Sequence, residues 1–182
     1  GLAPQRKTLF AMGGSLGART INESISAGLK KLHEAGYQVL WQTGKLYINT
    51  AQEHIQQARA ERIRAFDFVY EMDLAYAVAD VVVSRAGALS VSELCLAAKP
   101  AILVTFPAAA EDHQTKNAMS LVRQNAALLI QDANAGRELV ETAIRLMEDP
   151  AKQAELKKNI QTLARPDAAR DIAREVMKLM NA

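Results

Sequence analysis

The stretch Ser84-Arg-Ala-Gly-Ala-Leu-Ser-Val-Ser-Glu93 continues the β-branched run Val81-Val-Val and passes through a small-residue turn into a helix-forming segment. A short valine run ending at a glycine turn reads as a strand buried on both faces, so the order is strand, turn, helix. The same unit opens the chain. Thr8-Leu-Phe-Ala-Met12 runs into Gly13-Gly-Ser-Leu-Gly17, and Ile21, Ile25, Leu29 and Leu32 then recur at helical spacing, with Gly36 just past the last turn.

Outward from these two units the alternation persists. Further strands are predicted near Gln38–Gln42, Ile63–Phe66, Ala101–Thr105 and Ala127–Gln131, which with Thr8–Met12 and Val81–Ser84 makes six. Helices are predicted over about Ala18–Ala35, Leu46–Ala60, Met72–Ala79, Leu89–Ala98, Gln114–Gln124, Arg137–Glu148, Pro150–Leu163 and Pro166–Met180. Such alternation predicts an α/β fold, a doubly wound Rossmann-like parallel sheet of about six strands. With 182 residues, 49% of them apolar, the chain can bury one substantial core, and one domain is expected.

Composition sets outer limits. A net charge of +2 does not point to nucleic acid. The single cysteine, Cys95, lies in an apolar helical run, which rules out a disulfide framework and suits a reducing compartment. No apolar run approaches the roughly 20 residues of a membrane span, and the expectation is a soluble, cytoplasmic chain. Only Gly1 to Lys7 precede the first strand, an abrupt start that suits a domain excised from a longer protein.

Right-handed crossovers bring all strand C-termini to one edge, where open α/β sheets bind ligands, so the segments just after the strands carry the functional signal. Gly13-Gly-Ser-Leu-Gly17 could hold a diphosphate on its N–H groups and the Ser15 hydroxyl, although a tight turn alone also favours glycine. It is not a dinucleotide fingerprint. Met12 stands where that motif needs glycine, and the second strand ends in Trp41-Gln-Thr43 with no acid. Nor is it a nucleoside triphosphate loop, since Leu16-Gly17-Ala18 lacks lysine and Gly44-Lys45-Leu46 lacks the hydroxyl.

Glu93 admits two readings. It could accept two ribose hydroxyls, or it could complement the helix dipole in a capping box with Ser90. Glu111-Asp-His-Gln114 gathers two acids, an imidazole and an amide, but no second histidine or cysteine stands at ligand spacing, so no metal is expected. His33 and His54 lie on polar helix faces and read as bystanders. No nucleophile elbow or Ser-His-Asp order appears, and no catalytic residue is assigned to this chain. The segments suit holding a sugar nucleotide better than moving a proton.

Together, Gly13-Gly-Ser-Leu-Gly-Ala-Arg19, Ser84 to Glu93, Glu111-Asp-His-Gln-Thr-Lys-Asn-Ala118 and Pro166-Asp-Ala-Ala169 closely resemble the C-terminal domain of the MurG family, glycosyltransferase family 28. The likeness runs from Thr8 to the last helix with its motifs in order. Members are bacterial inverting hexosyltransferases that move N-acetylglucosamine from UDP-GlcNAc to lipid I, giving lipid II for peptidoglycan. The resemblance implies one half of a GT-B fold, with residues 1–182 as the UDP-GlcNAc-binding domain and the acceptor domain lying outside this sequence.

Carried over, Gly14 and Ser15 would face the diphosphate, and Val69 would read the uracil with its backbone. Ala88, Leu89 and Ser90 would line the nucleotide side, and Glu93 would take the ribose hydroxyls. His113 and Gln114 would reach the GlcNAc, with Asn117 close behind. Some relatives carry Gln-Gln where this chain has His113-Gln114. Arg85 reads either as a phosphate contact or as an ion pair within the domain. No cofactor is implied. The N-terminal domain would supply the base, the lipid I site and the contact with the cytoplasmic face of the inner membrane, leaving this half to bind donor without turnover.

The last helix places Ile172, Val176 and Met180 on one stripe bordered by Arg170, Arg174 and Lys178. Core or interdomain packing and membrane-surface binding are the two readings, with exposure or self-pairing following if the partner domain is absent. Two other functional classes remain open. One is a stand-alone donor-binding subunit recruited by a membrane-anchored partner. The other is an epimerase or hydrolase of related fold, for which only Glu111, Asp112 and His113 could supply acid/base chemistry.

Overall fold

The computed structural model describes residues 2–106 and 112–180. Six parallel strands form one sheet: β1 (Thr8–Met12), β2 (Gln38–Gln42), β3 (Ile63–Phe66), β4 (Val81–Arg85), β5 (Ala101–Thr105) and β6 (Leu128–Gln131). Their spatial order is β3-β2-β1-β4-β5-β6. Between and after them run α1 (Arg19–Glu34), α2 (Ile48–Gln57), α3 (Met72–Val78), α4 (Ala88–Ala97), α5 (His113–Val122), α6 (Asp132–Glu148), α7 (Pro150–Gln161) and α8 (Ala168–Met180). The predicted doubly wound sheet is therefore the fold.

Side chains alternate across a strand, so each central strand must feed two cores. Leu9 and Ala11 of β1, Val39 and Trp41 of β2, Val81 and Val83 of β4, and Ile102 and Val104 of β5 face the helices α1, α2 and α6. Phe10, Met12, Val82 and Leu103 face the other way, onto α3, α4 and α5. Helix α7 closes the end, giving Leu156 to the first core and Ile160 to the second. The long stripe of α1 is matched by Leu139, Ala143 and Leu146 of α6, all buried.

Three local expectations are corrected. Helix α4 starts at Ala88 behind an extended Gly87 with no side-chain cap, so Ser90 lies inside the helix and the Ser90–Glu93 capping box does not form. Glu93, the sixth helical residue, lies beyond the first turn, where the dipole no longer rewards a carboxylate. Helix α6 begins five residues earlier than expected, at Asp132, whose carboxylate sits in the first turn. Gly136 is accommodated within that helix at a cost of about 1 kcal/mol relative to alanine.

Helix α8 buries none of its residues, with Leu179 and Met180 about four-fifths exposed. Packing of its apolar stripe into this domain's core is thereby overturned. Its cations pair with acids three residues away, Arg170 with Asp167, Arg174 with Asp171 and Lys178 with Glu175.

Candidate functional site

Strands β1 and β4 are neighbours, in the register Leu9–Val81, Phe10–Val82, Ala11–Val83, but their following connections leave in opposite directions. A crevice must open at that point, between the loop after β1 and the loop after β4.

The loop after β1 is shaped by Gly14 and Gly17, at φ +82° and +80°, and closed by the Gly17 N–H donating to the Gly14 carbonyl at 3.0 Å. Glycine is required at position 17 for space as well as for φ. A Cβ there would lie 2.0 Å from the Thr43 carbonyl oxygen of the next loop, and one on Gly44 would lie 2.2 Å from the Leu16 oxygen. This backbone-on-backbone contact presents an exposed Ser15 ahead of α1, whose N-cap Ala18 offers no side-chain acceptor. The first-turn N–H groups of α1 are thus left to water or an anion.

Gln42, at the end of β2 and 3% exposed, joins two parts of the crevice. Its Nε2 donates to the Gly14 carbonyl at 3.0 Å, and its Oε1 accepts the Val69 N–H at 2.8 Å. Val69 is half-buried between Phe68 and Tyr70, whose rings meet edge-on at 4.9 Å. Because its N–H is engaged, the carbonyl is the backbone group Val69 has to offer a base.

After β4 the chain passes through Ala86 and Gly87 into α4, placing Ala88 and Leu89 exposed and Ser90 half-buried at a second bare helix start. Arg85 does not join them. Its guanidinium turns inward, ion-pairs with Asp132, and donates to the carbonyls of Val104 and Thr105 at 3.3 and 3.1 Å, with the Phe106 ring 5.5 Å away. The other Asp132 oxygen accepts from the Thr20 hydroxyl at 2.8 Å. Of the two readings of Arg85, the ion pair is the one that forms. It ties the ends of β4 and β5 to α6 and α1.

Glu93 is exposed, and its Oε2 accepts the Tyr76 hydroxyl of α3 at 2.9 Å. Met72, Asp73, Tyr76, Glu93 and Leu96 line a shallow recess of about 560 Å³ between α3 and α4. On the far side of α4, α5 presents His113, exposed, then Gln114 and Asn117. The Gln114 amide oxygen accepts the Phe106 N–H at 3.0 Å, and the Asn117 amide nitrogen donates to the Ala86 carbonyl at 3.0 Å. Among the described residues the Gln114 NH₂ and the Asn117 amide oxygen have no further hydrogen-bond partner. Glu111 lies outside the described residues. Among those described, no group of three potential metal-binding side chains occurs.

The candidate residues therefore lie in the loops after β1 and β3 and in the opening turns of α4 and α5, all in segments that follow strands of one sheet. Four further residues that shape them were not anticipated: Gln42, Tyr76, Asp132 and Thr20. Gln42 carried a usable signal, a polar residue closing the otherwise apolar Val39-Leu-Trp41 run. Tyr76 and Asp132 carried none, since their partners are distant in sequence.

Comparison with known proteins bears on the family and the fold. The family profile described as glycosyltransferase family 28 C-terminal domain matches residues 8–172. The UDP-N-acetylglucosamine–N-acetylmuramyl-(pentapeptide) pyrophosphoryl-undecaprenol N-acetylglucosamine transferase of Cytophaga hutchinsonii is 54% identical over 181 residues, all of this chain and 48% of that protein. The equivalent transferase of Parabacteroides distasonis is 47% identical over 181 residues, again all of this chain and 49% of the relative. A crystal structure of Acinetobacter baumannii MurG superposes with a TM-score of 0.85 at 29% identity, covering 97% of this chain and 53% of that one. The chain thus spans about half the length of the curated relatives it matches.

Proposed function

The chain belongs to the glycosyltransferase family 28 C-terminal domain family, and on that footing we propose that it is the donor-binding half of a transferase that moves N-acetylglucosamine from UDP-GlcNAc to lipid I. The observation that carries the reading is the crevice itself. Two uncapped helix starts face it from the loops after β1 and β4, and an exposed carboxylate held by a buried tyrosine lies on the second helix.

Each part has a chemical task. The Gly14 and Ser15 loop and the N–H groups opening α1 meet the diphosphate, and the Val69 carbonyl meets the uracil imide N–H. Glu93 accepts the ribose hydroxyls while Ala88, Leu89 and Ser90 form the wall beside them. His113, the Gln114 NH₂ and the Asn117 oxygen meet the hydroxyls and acetamido group of the sugar. In transfer, an acceptor hydroxyl attacks the anomeric carbon from the face opposite the diphosphate, so configuration inverts as the UDP oxygen departs. Negative charge grows on that oxygen, and fixed N–H dipoles stabilise it without reorganising. The proton is taken by a base on a domain beyond this sequence, which also holds the lipid-linked acceptor at the cytoplasmic membrane face. Among the described residues no helix is long and apolar enough to cross a membrane.

Calorimetric titration of this chain with UDP, UDP-GlcNAc and ADP-ribose tests the reading. Selective uridine binding is expected, weakened by about 1.5–3 kcal/mol in Glu93→Ala, the range for hydrogen bonds to a charged group. Equal affinity for ADP-ribose, or transfer to a lipid I analogue by this chain alone, would refute it.

A further inference from the structure

We propose that Tyr76 is a positioning residue for the donor ribose, holding the Glu93 carboxylate in the orientation that accepts the sugar hydroxyls; this rests on the donor-site reading above.

The two side chains differ sharply in environment. Glu93 is exposed, whereas Tyr76 is 6% exposed and its hydroxyl donates to Glu93 Oε2 at 2.9 Å. Its ring cannot swing away, because Phe10 packs edge-on against it at 5.8 Å with planes 77° apart, and the hydroxyl also lies 3.9 Å from the Met12 sulfur. Burial, reinforced by the nearby Glu93 charge, pushes the phenol well above its usual pKa. Tyr76 therefore keeps its proton throughout the physiological range and serves Glu93 only as a donor.

A free glutamate on a helix surface samples several rotamers and must lose that freedom on binding a ligand. Here a buried donor has already selected one. An ionised carboxylate has about four lone-pair positions, and a single phenol takes one, leaving room for two vicinal hydroxyls. Phe10 and Met12 belong to β1, the strand that delivers the Gly13–Gly17 loop. One strand thus sets the diphosphate loop directly and the ribose carboxylate through Tyr76, which fixes their separation before any ligand arrives. The same bond could instead serve only to satisfy a buried phenol. In that case its loss would not discriminate between ligands with and without ribose hydroxyls.

The test compares UDP with 2′,3′-dideoxy-UDP on the wild-type chain, Tyr76→Phe, Glu93→Ala and the double variant. Tyr76→Phe is expected to weaken UDP about three- to tenfold and to leave the dideoxy nucleotide within about twofold, with no further loss when added to Glu93→Ala. Equal weakening of both nucleotides, no weakening of either, or full additivity with Glu93→Ala would overturn the positioning role while leaving the donor site standing. If Glu93→Ala itself leaves UDP affinity unchanged, the ribose reading falls and the Tyr76 proposal with it. Should Tyr76→Phe fold poorly, 3-fluorotyrosine at position 76 supplies a second readout. Its ¹⁹F resonance is expected to shift with UDP and not with the dideoxy nucleotide, and identical responses would overturn the proposal.

Discussion

Replacing Asp132 by alanine leaves the Arg85 guanidinium without its counter-charge in a site where the Arg85 side chain is 10% and the Asp132 side chain 19% exposed. Breaking a buried ion pair from one side costs about 3–5 kcal/mol. Partial access of water at Asp132 lowers that to about 2–4 kcal/mol, and loss of the acceptor for the Thr20 hydroxyl adds about 1 kcal/mol. Arg85→Met should cost about 2–4 kcal/mol, since it strips donors from the Val104 and Thr105 carbonyls as well as from Asp132. The double variant Arg85→Met/Asp132→Leu buries apolar groups of similar size in place of two charges and should be more stable than the sum of the single losses predicts. A coupling of about 1.5–3 kcal/mol is expected from urea unfolding midpoints. UDP affinity of the double variant, measured on folded protein, should stay within about twofold of wild type, because the guanidinium points away from the crevice. Additive stability losses would refute the ion-pair account. A double variant as stable as expected but binding UDP more than about tenfold more weakly would show that Arg85 touches the donor after all.

Other consequences follow from the same geometry. Gln42→Met should cost about 2–3 kcal/mol in unfolding free energy by stranding the Gly14 carbonyl and the Val69 N–H, and should weaken UDP binding as the two loops lose their common tie. Gly17→Ala should destabilise by more than about 3 kcal/mol or prevent folding, whereas Gly14→Ala, with nothing within 4 Å of its Cβ, should cost only the backbone term of about 1–2 kcal/mol. Thermal or urea melts of the pair distinguish clash from strain, and equal losses would refute the loop contact. Tyr76 and Tyr37 both have pKa values raised by burial above the ordinary 10.0. Above that pH the unfolded chain releases protons that the folded chain retains, so stability should fall as pH rises, and Tyr76→Phe should flatten that alkaline limb. An unchanged slope would contradict the buried phenol.

How much was legible from the residues varied by element, and the misses share a cause. The S-x-x-E pattern at Ser90–Glu93 fits a capping box as written, yet the chain stays extended at Gly87 and enters the helix at Ala88, three residues before that pattern would cap it. Helix α8 carries the same kind of apolar stripe as α1. One is buried against α6 and the other buries none of its residues, and periodicity cannot tell them apart. Asp132 falls between the strand predicted to end at Gln131 and the helix predicted from Arg137, and its meaning lies in Arg85 and Thr20, 47 and 112 positions away.

Element types, their order and the glycine-bearing turns are consequences of local chemistry: alternation at period two or 3.6, β-branching, and the positive φ that glycine tolerates. Each acts within a few residues, which is why β1 to β6 and the segments following them could be placed before any contact was known. Strand order, the inward turn of Arg85, the Gln42 tie and the Tyr76–Glu93 bond are consequences of packing. They join residues 17 to 47 or more positions apart, and which polar groups meet depends on how two helical layers settle on a twisted sheet and which donors burial then obliges to find partners.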